Sequence, residues 1–262
     1  MPRPTVLAAP GTNHLLSILP ADELRDLSPQ LTRVTLTLRQ VLSEPGAAIR
    51  QVYFPLDAVV SLVTVLADGE GVEAGLVGND GVVGVAVLLE AVASPSAAVC
   101  QVQGEAVRTD ADAFLAAATT NLPLRYVLLR YTQALLGQTA QSVACNRLHD
   151  LNQRCARWLL SVHDRVRADY FPLTQEYLAQ MLGVRRPGVS AAAQALQAAG
   201  WIRYSRGLVT VVDRAGLEAA ACECYQRVRD EYERLLGADS PAVAQALARG
   251  HAATRPRVAQ DG

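Results

Sequence analysis

The stretch from residue 173 to residue 213 constrains the fold most, because two short helix patterns there are separated by a single glycine. Thr174 is placed to cap the first helix, and Gly183 allows the chain to turn sharply after it. The second helix pattern starts at Arg185–Arg186 and stops at Gly200. Two helices joined by a tight glycine turn are typical of a helix-turn-helix.

A small β-hairpin is predicted directly after the second helix. Its strands cover residues 201–203 and 208–212, and Ser205-Arg206-Gly207 forms the turn between them. A hairpin in this position is the wing of a winged helix-turn-helix. We expect Arg203 and Arg206 of the wing to contact phosphates, which makes the affinity for a nucleic acid dependent on salt.

The second helix has an apolar and a polar face when its residues are placed about 100° apart around the helix axis. The apolar face consists of Val189, Ala192, Leu196 and Ala199, and the polar face consists of Arg186, Ser190, Gln194 and Gln197. These polar groups can hydrogen-bond base edges and phosphates, and an arginine at the start of the helix can bind both acceptors of a guanine. Polar faces are common on surface helices, so the prediction of DNA binding depends on the coincidence of this face with the glycine turn and the wing.

Charge is segregated along the chain although the formal net charge is only −1. Residues 40–120 hold ten acidic side chains and two arginines, a local net of −8. Residues 171–214 hold five arginines and two acids, a local net of +3. An acidic first part and a basic second part indicate two separate functions within one chain.

The first part of the chain has the pattern of a β-domain. Residues 33–38 alternate polar and apolar, which is the period of a half-buried strand, and a short helix near residues 21–27 precedes them. Many short strands at regular spacing favour a jelly-roll over a parallel sheet, so the predicted fold class is α+β with an N-terminal jelly-roll. The further strands are predicted near residues 51–54, 59–65, 72–77, 97–102 and 106–109.

A long helix is predicted to follow over residues 122–145. It carries an apolar stripe formed by Leu124, Val127, Leu128, Tyr131, Leu135 and Val143. The stripe suits pairing with the same helix of a second chain, and it equally suits packing against the chain's own β-domain. A hinge near residues 146–150 and an amphipathic helix over residues 151–167 come next.

These patterns divide the chain into a jelly-roll domain (1–121), a long helix (122–146), a winged helix-turn-helix domain (147–237) and a tail (238–262). No uninterrupted apolar run approaches the roughly 20 residues that a membrane helix needs, and the apolar part of residues 1–11 is too short for a signal peptide. Five scattered cysteines, an odd number, indicate reduced thiols. We therefore expect a soluble cytoplasmic protein without membrane contact.

The sequence contains no recognisable catalytic or metal-binding pattern. A metal-dependent jelly-roll enzyme needs histidines on its strands, and residues 30–110 contain none. If Cys222 and Cys224 lay on one helix, their side chains would point about 200° apart. We therefore expect neither enzyme activity nor a metal site. The dispersed candidates are Cys100, Cys145, Cys155, Cys222 and Cys224, and His14, His149, His163 and His251.

Residues 173–190, Leu-Thr-Gln-Glu-Tyr-Leu-Ala-Gln-Met-Leu-Gly-Val-Arg-Arg-Pro-Gly-Val-Ser, resemble the DNA-binding motif of the Crp/Fnr transcription regulators. Residues 154–160, Arg-Cys-Ala-Arg-Trp-Leu-Leu, resemble the helix that precedes that motif, and the likeness extends over roughly residues 14–235. The resemblance implies a homodimer joined along the long helix and a symmetric operator on double-stranded DNA, with half-sites about one helical turn apart. It also implies RNA polymerase as a partner, and DNA contacts from Thr174, Gln175, Arg185, Arg186, Ser190, Gln194, Arg203 and Arg206.

Two positions of the motif depart from relatives of this kind. Pro187 stands where many members have Glu, and Ala191 stands where the members that respond to cyclic AMP have a second Arg. Arg186 matches the arginine that reads a guanine. The operator is therefore expected to differ from that of the cyclic AMP receptors.

The β-domain departs further from the members that bind cyclic nucleotides, which carry a Gly-Glu pair and a downstream Arg-Ser-Ala. Here Gly84 is followed by Val85, and Pro95 takes the place of the Arg before Ser96 and Ala97. A pocket without its cation, in an acidic domain, disfavours a phosphate. Cyclic AMP and cyclic GMP are therefore not expected as effectors.

Iron–sulfur and haem cofactors are not expected either. Members of the family that hold an iron–sulfur cluster use N-terminal cysteines, and the first cysteine here is Cys100. Two alternatives remain for the barrel: it binds a neutral small molecule or a partner protein, or it is a scaffold and the regulator binds DNA without an effector.

Overall fold

The computed structural model describes residues 12–91, 93–166, 168–237 and residue 244. The predicted tail, residues 238–262, lies outside the described residues except for residue 244. Two short helices, α1 (His14–Ser17) and α2 (Ala21–Leu27), open the described part of the chain. None of its helices is both long and apolar enough to span a membrane.

Seven short strands form two antiparallel sheets, which confirms the predicted jelly-roll domain. One sheet has the order β1-β7-β3 and the other the order β2-β6-β4-β5. Of these strands only β2 was not predicted from the sequence. The strands are β1 (Thr32–Leu36), β2 (Val41–Ser43), β3 (Gln51–Pro55), β4 (Val59–Val65), β5 (Gly71–Val77), β6 (Ala97–Val102) and β7 (Gly104–Asp110).

Mostly apolar side chains form the core of the β-domain, among them Leu36, Tyr53, Val60, Val77, Ala98 and Cys100. The predicted hairpin between β4 and β5 is present, and the amide of Leu66 donates a 2.7 Å hydrogen bond to the carbonyl of Glu70 across its turn. Gly69 adopts a positive φ of 86° in this turn, a conformation that favours glycine.

Helix α3 (Ala111–Thr120) leads into the long helix α4 (Leu122–Leu148), which extends past its predicted end at residue 145. The side chain of Asn121 caps α4 by accepting a hydrogen bond from the amide of Leu124 at 2.8 Å, and Pro123 lies in the first turn. The sequence therefore determines the start of this helix locally.

Four of the six residues of the predicted apolar stripe of α4 face the chain's own core. Leu124, Val127, Leu128 and Tyr131 have at most 1% of their surface exposed and pack with α3, the β-domain and a C-terminal helix, α9 (Cys224–Leu236). The outer side of α4 exposes Leu129, Leu136 and Val143. The four buried side chains therefore have no surface left for a seam between chains.

The remaining elements form a winged helix-turn-helix domain. An Asp150–Gln153 capping box starts α5, because the Asp150 carboxylate accepts from the Gln153 amide at 3.1 Å. The predicted hinge is shorter than expected, since only His149 and Asp150 separate α4 from α5. The elements are α5 (Leu151–His163), β8 (Tyr170–Pro172), α6 (Gln175–Leu182), α7 (Arg186–Ala198), β9 (Ile202–Ser205), β10 (Leu208–Val211) and α8 (Arg214–Ala220).

The winged domain packs directly against the β-domain of the same chain. Arg165 forms a buried ion pair with Asp80, and its Nε donates to one carboxylate oxygen at 3.0 Å. Trp158 of α5 donates from its indole nitrogen to Glu73 of β5 at 2.9 Å. Apolar side chains of both domains share one core cluster, so the two domains are held in one arrangement.

Candidate nucleic-acid interface

The helix pair α6–α7 has the caps that the sequence predicts. The Thr174 hydroxyl accepts a hydrogen bond from the Tyr177 amide at 3.1 Å, and Gly183 ends α6 with a φ of 61°. A Cβ at Gly183 would lie 3.1 Å from a methyl carbon of Val72, so the turn also lies close to the β4–β5 hairpin. Helix α7 begins at Arg186, with Pro187 in its first turn.

Helix α7 buries three of the four residues predicted for its apolar face. The prediction is wrong for Ala199, which is exposed because it lies at the C-cap, where the helix ends. Val189, Ala192 and Leu196 are buried in the domain core. Arg185, Arg186 and Gln194 are exposed. The predicted orientation of the helix is therefore present, with two guanidinium groups at its N-terminal end.

Three of the polar side chains are engaged within the domain. Ser190 donates a 2.6 Å hydrogen bond to the side-chain oxygen of Gln175, so these two predicted DNA contacts hold each other. The side-chain oxygen of Gln197, which the helical wheel places on the polar face, accepts from the amide of Tyr204 at 2.8 Å. Gln197 therefore links α7 to the wing.

The wing is a tight hairpin that presents two exposed arginines, Arg203 and Arg206. Arg206 and Gly207 have positive φ angles of 51° and 75°, as a two-residue turn of the type I′ class requires. The Tyr204 hydroxyl donates to the Leu173 carbonyl at 2.8 Å and fixes the wing against the start of α6.

The exposed arginines of this surface are available to a polyanion. Within the described part of the chain, none of Arg185, Arg186, Arg203 and Arg206 forms an ion pair. A groove between the helix-turn-helix and the β4–β5 hairpin is lined by Arg185 and Arg186 and also by Glu70 and Glu176. The two acids place negative charge close to the start of α7.

The residues of the degenerate effector pocket lie in two different environments. Gly84 has a φ of 91°, and Val85 starts a short 3-10 turn whose core contacts are with α3 and α4. Pro95 is exposed, Ser96 is half-buried and Ala97 at the start of β6 packs in the cluster shared with the winged domain.

Four side chains with metal-binding atoms meet at the end of α4. The ligand atoms of Cys145, His149, Cys222 and Cys224 all lie within 4.8 Å of one another. The Cys145 and Cys222 sulfurs are 3.5 Å apart, and the Cys224 sulfur is 3.4 Å from His149 Nδ1. The expectation that Cys222 and Cys224 diverge on a helix is wrong, because α9 begins at Cys224 and Cys222 lies in the preceding turn.

The remaining cysteines and histidines have ordinary structural surroundings. Cys100 and Cys155 are buried in the core, and burial raises the pKa of both thiols to about 12. His14 Nε2 is 2.7 Å from the Leu236 carbonyl oxygen, and His163 contacts Asp169. His251 lies outside the described residues.

A family-model comparison matches residues 153–220 to the Crp-like helix-turn-helix domain. A sequence search of curated proteins gives no significant match. Among solved structures, the chain is similar to FixK2 from Bradyrhizobium japonicum, with 17% identity, a TM-score of 0.63, and coverage of 73% of this chain and 98% of that one.

Two further structures have the same fold. One is the c-di-GMP-responsive global regulator CLP of Xanthomonas campestris, with 17% identity, a TM-score of 0.60 and coverage of 73% and 99% of the two chains. The other is a CRP-family regulator from Thermus thermophilus, with 22% identity, a TM-score of 0.60 and coverage of 72% and 96%. The chain thus carries a Crp-like helix-turn-helix domain and has the fold of the Crp/Fnr transcriptional regulators.

Proposed function

We propose that the protein is a cytoplasmic, sequence-specific transcription regulator that binds a two-fold symmetric operator as a homodimer. The observation that carries this proposal is the surface formed by α7 and the wing, where four arginines are exposed. On the other side of α7, Val189, Ala192 and Leu196 are buried. Arg186, at the first position of α7, is the residue best placed to read a base. Arg203 and Arg206 supply phosphate contacts from the wing.

The outer side of α4 supports the homodimer. Leu129, Leu136 and Val143 are 40%, 60% and 70% exposed, and they follow one another at intervals of seven residues. Gln133 and Ala140 lie between them and are also exposed, which gives the alternating spacing of four and three of a coiled-coil seam. Of the six residues predicted for the seam from the sequence, Val143 lies on this face, Leu135 is half-buried, and the other four are in the core.

We do not propose that a cyclic nucleotide controls the protein. Val85 and Pro95 stand where a carboxylate and a guanidinium would be needed, and the barrel core is mainly apolar. Two modes of control remain: the barrel binds a neutral small molecule, or the protein binds DNA without an effector. DNA-binding measurements on freshly purified protein distinguish them. Tight operator binding that no added metabolite changes supports the second mode.

Selection of bound duplexes from a random pool tests the proposed function. We expect enrichment of an inverted repeat with half-site centres about one helical turn apart, together with a dimer in sedimentation analysis. RNA polymerase recruitment is tested on the same site by transcription in vitro. A monomeric protein that enriches no duplex would contradict the proposal.

A further inference from the structure

We propose that Cys145, His149, Cys222 and Cys224 bind one Zn²⁺ ion, which joins the end of α4 to the segment between α8 and α9. Cys145 and His149 lie in one part of the chain, and Cys222 and Cys224 lie more than 70 residues further on. The fold brings these two pairs together, and neither pair alone would form the site. Three sulfurs and one imidazole nitrogen are among the ligand sets that zinc takes in structural sites.

The spacing of the four atoms fits a single tetrahedral ion. Zinc bonds of about 2.3 Å to sulfur and about 2.0–2.1 Å to nitrogen separate neighbouring ligand atoms by about 3.6–3.8 Å. The separations of 3.5 Å between the Cys145 and Cys222 sulfurs, and 3.4 Å between the Cys224 sulfur and His149 Nδ1, are close to those values. All other pairs of ligand atoms lie within 4.8 Å. An iron–sulfur cluster would spread its thiolates more widely, since sulfides bridge its separate irons.

The local chain geometry explains why these residues meet. Cys145 and His149 are four residues apart, so they lie one helical turn from each other at the end of α4. Cys222 lies in the turn after α8, and Cys224 starts α9, which then runs back along α4. Three of the ligands are buried and His149 is half-buried, as expected of a closed structural site.

Surrounding polar groups orient the ligands as they do in zinc sites. His149 Nε2 is 3.1 Å from a carboxylate oxygen of Glu223, which leaves Nδ1 directed at the sulfurs. A carboxylate behind a histidine ligand fixes the ring and its tautomer. The side-chain amide of Gln141 donates to the Cys224 sulfur at 3.0 Å.

Two arginines of α5 place positive charge near the cluster. One is Arg157, which lies close enough to Cys145 for its charge to act on the sulfur. Arg154 is buried beside the same cluster. Three thiolates on a divalent ion carry one net negative charge, and these two guanidiniums offset it.

The position of the site gives it a structural role. All four coordination positions of the ion are filled by protein, so no position is open for a reacting molecule. The ion would hold α9 and the winged domain against α4, next to the short hinge at His149 and Asp150. Insofar as the protein binds DNA, which depends on the proposed function, loss of the ion is expected to weaken operator binding by loosening α7 relative to α4.

Metal titration tests the site without any DNA. Full-length protein is purified under reducing conditions, freed of metal with a chelator and titrated with Zn²⁺ and with Co²⁺. We expect one ion per chain, a higher melting temperature with Zn²⁺, and the intense visible bands of a tetrahedral cobalt–thiolate site. Binding well below one ion per chain, or a cobalt spectrum without thiolate charge transfer, would overturn the proposal.

Variants assign the ligands. Cys145→Ala and Cys222→Ala should lose the cobalt–thiolate spectrum, whereas Cys100→Ala, which removes an equally buried thiol elsewhere, should keep it. If the cysteine variants do not fold, Glu223→Gln still tests the site, because Glu223 is exposed and its loss should weaken zinc binding by about tenfold or more. An unchanged spectrum in Cys145→Ala would contradict the assignment, and so would an unchanged zinc affinity in Glu223→Gln.

Mass analysis of the untreated protein under non-reducing conditions completes the test. Free thiols at Cys145 and Cys222 are expected, and a stable disulfide between them in freshly isolated protein would overturn the zinc site. Zinc binding without any DNA binding would contradict the proposed function alone, while DNA binding without zinc binding would contradict this inference alone.

Discussion

At the scale of single residues, the arginines of the candidate interface have different expected roles. We expect Arg186→Ala to weaken operator binding by about 1–3 kcal/mol and to relax the preference at one base pair of each half-site. The reason is that an arginine in the first turn of α7 can form a bidentate contact with a guanine. Binding titrations against the selected operator and its single-base variants measure both effects. Arg108→Ala, at an exposed arginine of the β-domain, is the matched control and should bind normally.

Arg206 of the wing is expected to contact a phosphate and not a base. Arg206→Ala should weaken binding to all sequences to a similar extent and lower the slope of log affinity against log salt by about 1, because a phosphate contact carries no base information. The measurement is a salt series on the operator and on a scrambled duplex. A loss confined to the operator would show that Arg206 reads bases instead.

Glu73 connects the protonation of one residue to the stability of the fold. It accepts hydrogen bonds from the Ser61 hydroxyl at 2.7 Å and from the Trp158 indole at 2.9 Å, and burial raises its pKa from 4.5 to about 7. The folded state therefore binds a proton that the unfolded state releases between these values, so the free energy of unfolding should fall as pH rises from about 4.5 through 7.

Glu73→Gln should remove that part of the pH dependence, because the amide stays neutral and can keep both hydrogen bonds. Urea unfolding at pH 5 and at pH 8 measures the effect, with the exposed Glu44→Gln as control. An equally steep loss of stability with pH in the Glu73 variant would contradict this assignment.

At the scale of elements, the sequence predicted the long helix but not which of its sides packs inside the chain. A periodic stripe indicates that a helix has an apolar partner, and it contains no information on which partner that is. Here α9 packs along α4, and the Tyr232 hydroxyl is 3.1 Å from the Gln138 side-chain oxygen. Residues 224–236 were assigned to the winged domain without a predicted helix, so this partner of α4 was missed.

The exposed residues Leu129, Leu136 and Val143 of α4 form the proposed seam between two chains. Leu136→Glu should shift the dimer towards monomers without unfolding them, because it places two charges at the proposed seam while the side chain is already 60% exposed in one chain. Sedimentation analysis measures the association, and circular dichroism checks the fold. Leu66→Glu makes the same change at a site that is 59% exposed on the β4–β5 hairpin, and should leave assembly unchanged.

The cysteine cluster could not be predicted from the sequence either, because its residues are distant in sequence. The expected divergence of Cys222 and Cys224 assumed that both lie on one helix, whereas the helix begins only at Cys224. A spacing rule compares residues that are near in sequence, whereas Cys145 and Cys222 are brought together by the return of α9 along α4. The signal that could have found them is the Cys145–His149 spacing of one helical turn, combined with a second pair of thiols.

At the scale of the whole molecule, the order of domains was predictable and their docking was not. Turn glycines, caps and strand alternation are local signals, and they placed the jelly-roll, the long helix and the winged domain correctly. The contact between Arg165 and Asp80 joins residues 85 apart in sequence, with 8% and 7% of their side-chain surfaces exposed. Nothing in the sequence near either residue indicates that it has a buried partner.

This buried pair should make the two domains unfold together. We expect Asp80→Asn to destabilise the protein by about 3–5 kcal/mol, because it leaves the Arg165 guanidinium buried without a counter-charge. The double variant Asp80→Asn/Arg165→Met should recover part of that loss, since it removes the uncompensated charge as well. Urea unfolding followed by tryptophan fluorescence and by circular dichroism measures both effects, and the exposed Asp26→Asn serves as the control. Equal destabilisation in the single and double variants would mean that the lost packing, and not the buried charge, dominates the contact between the domains.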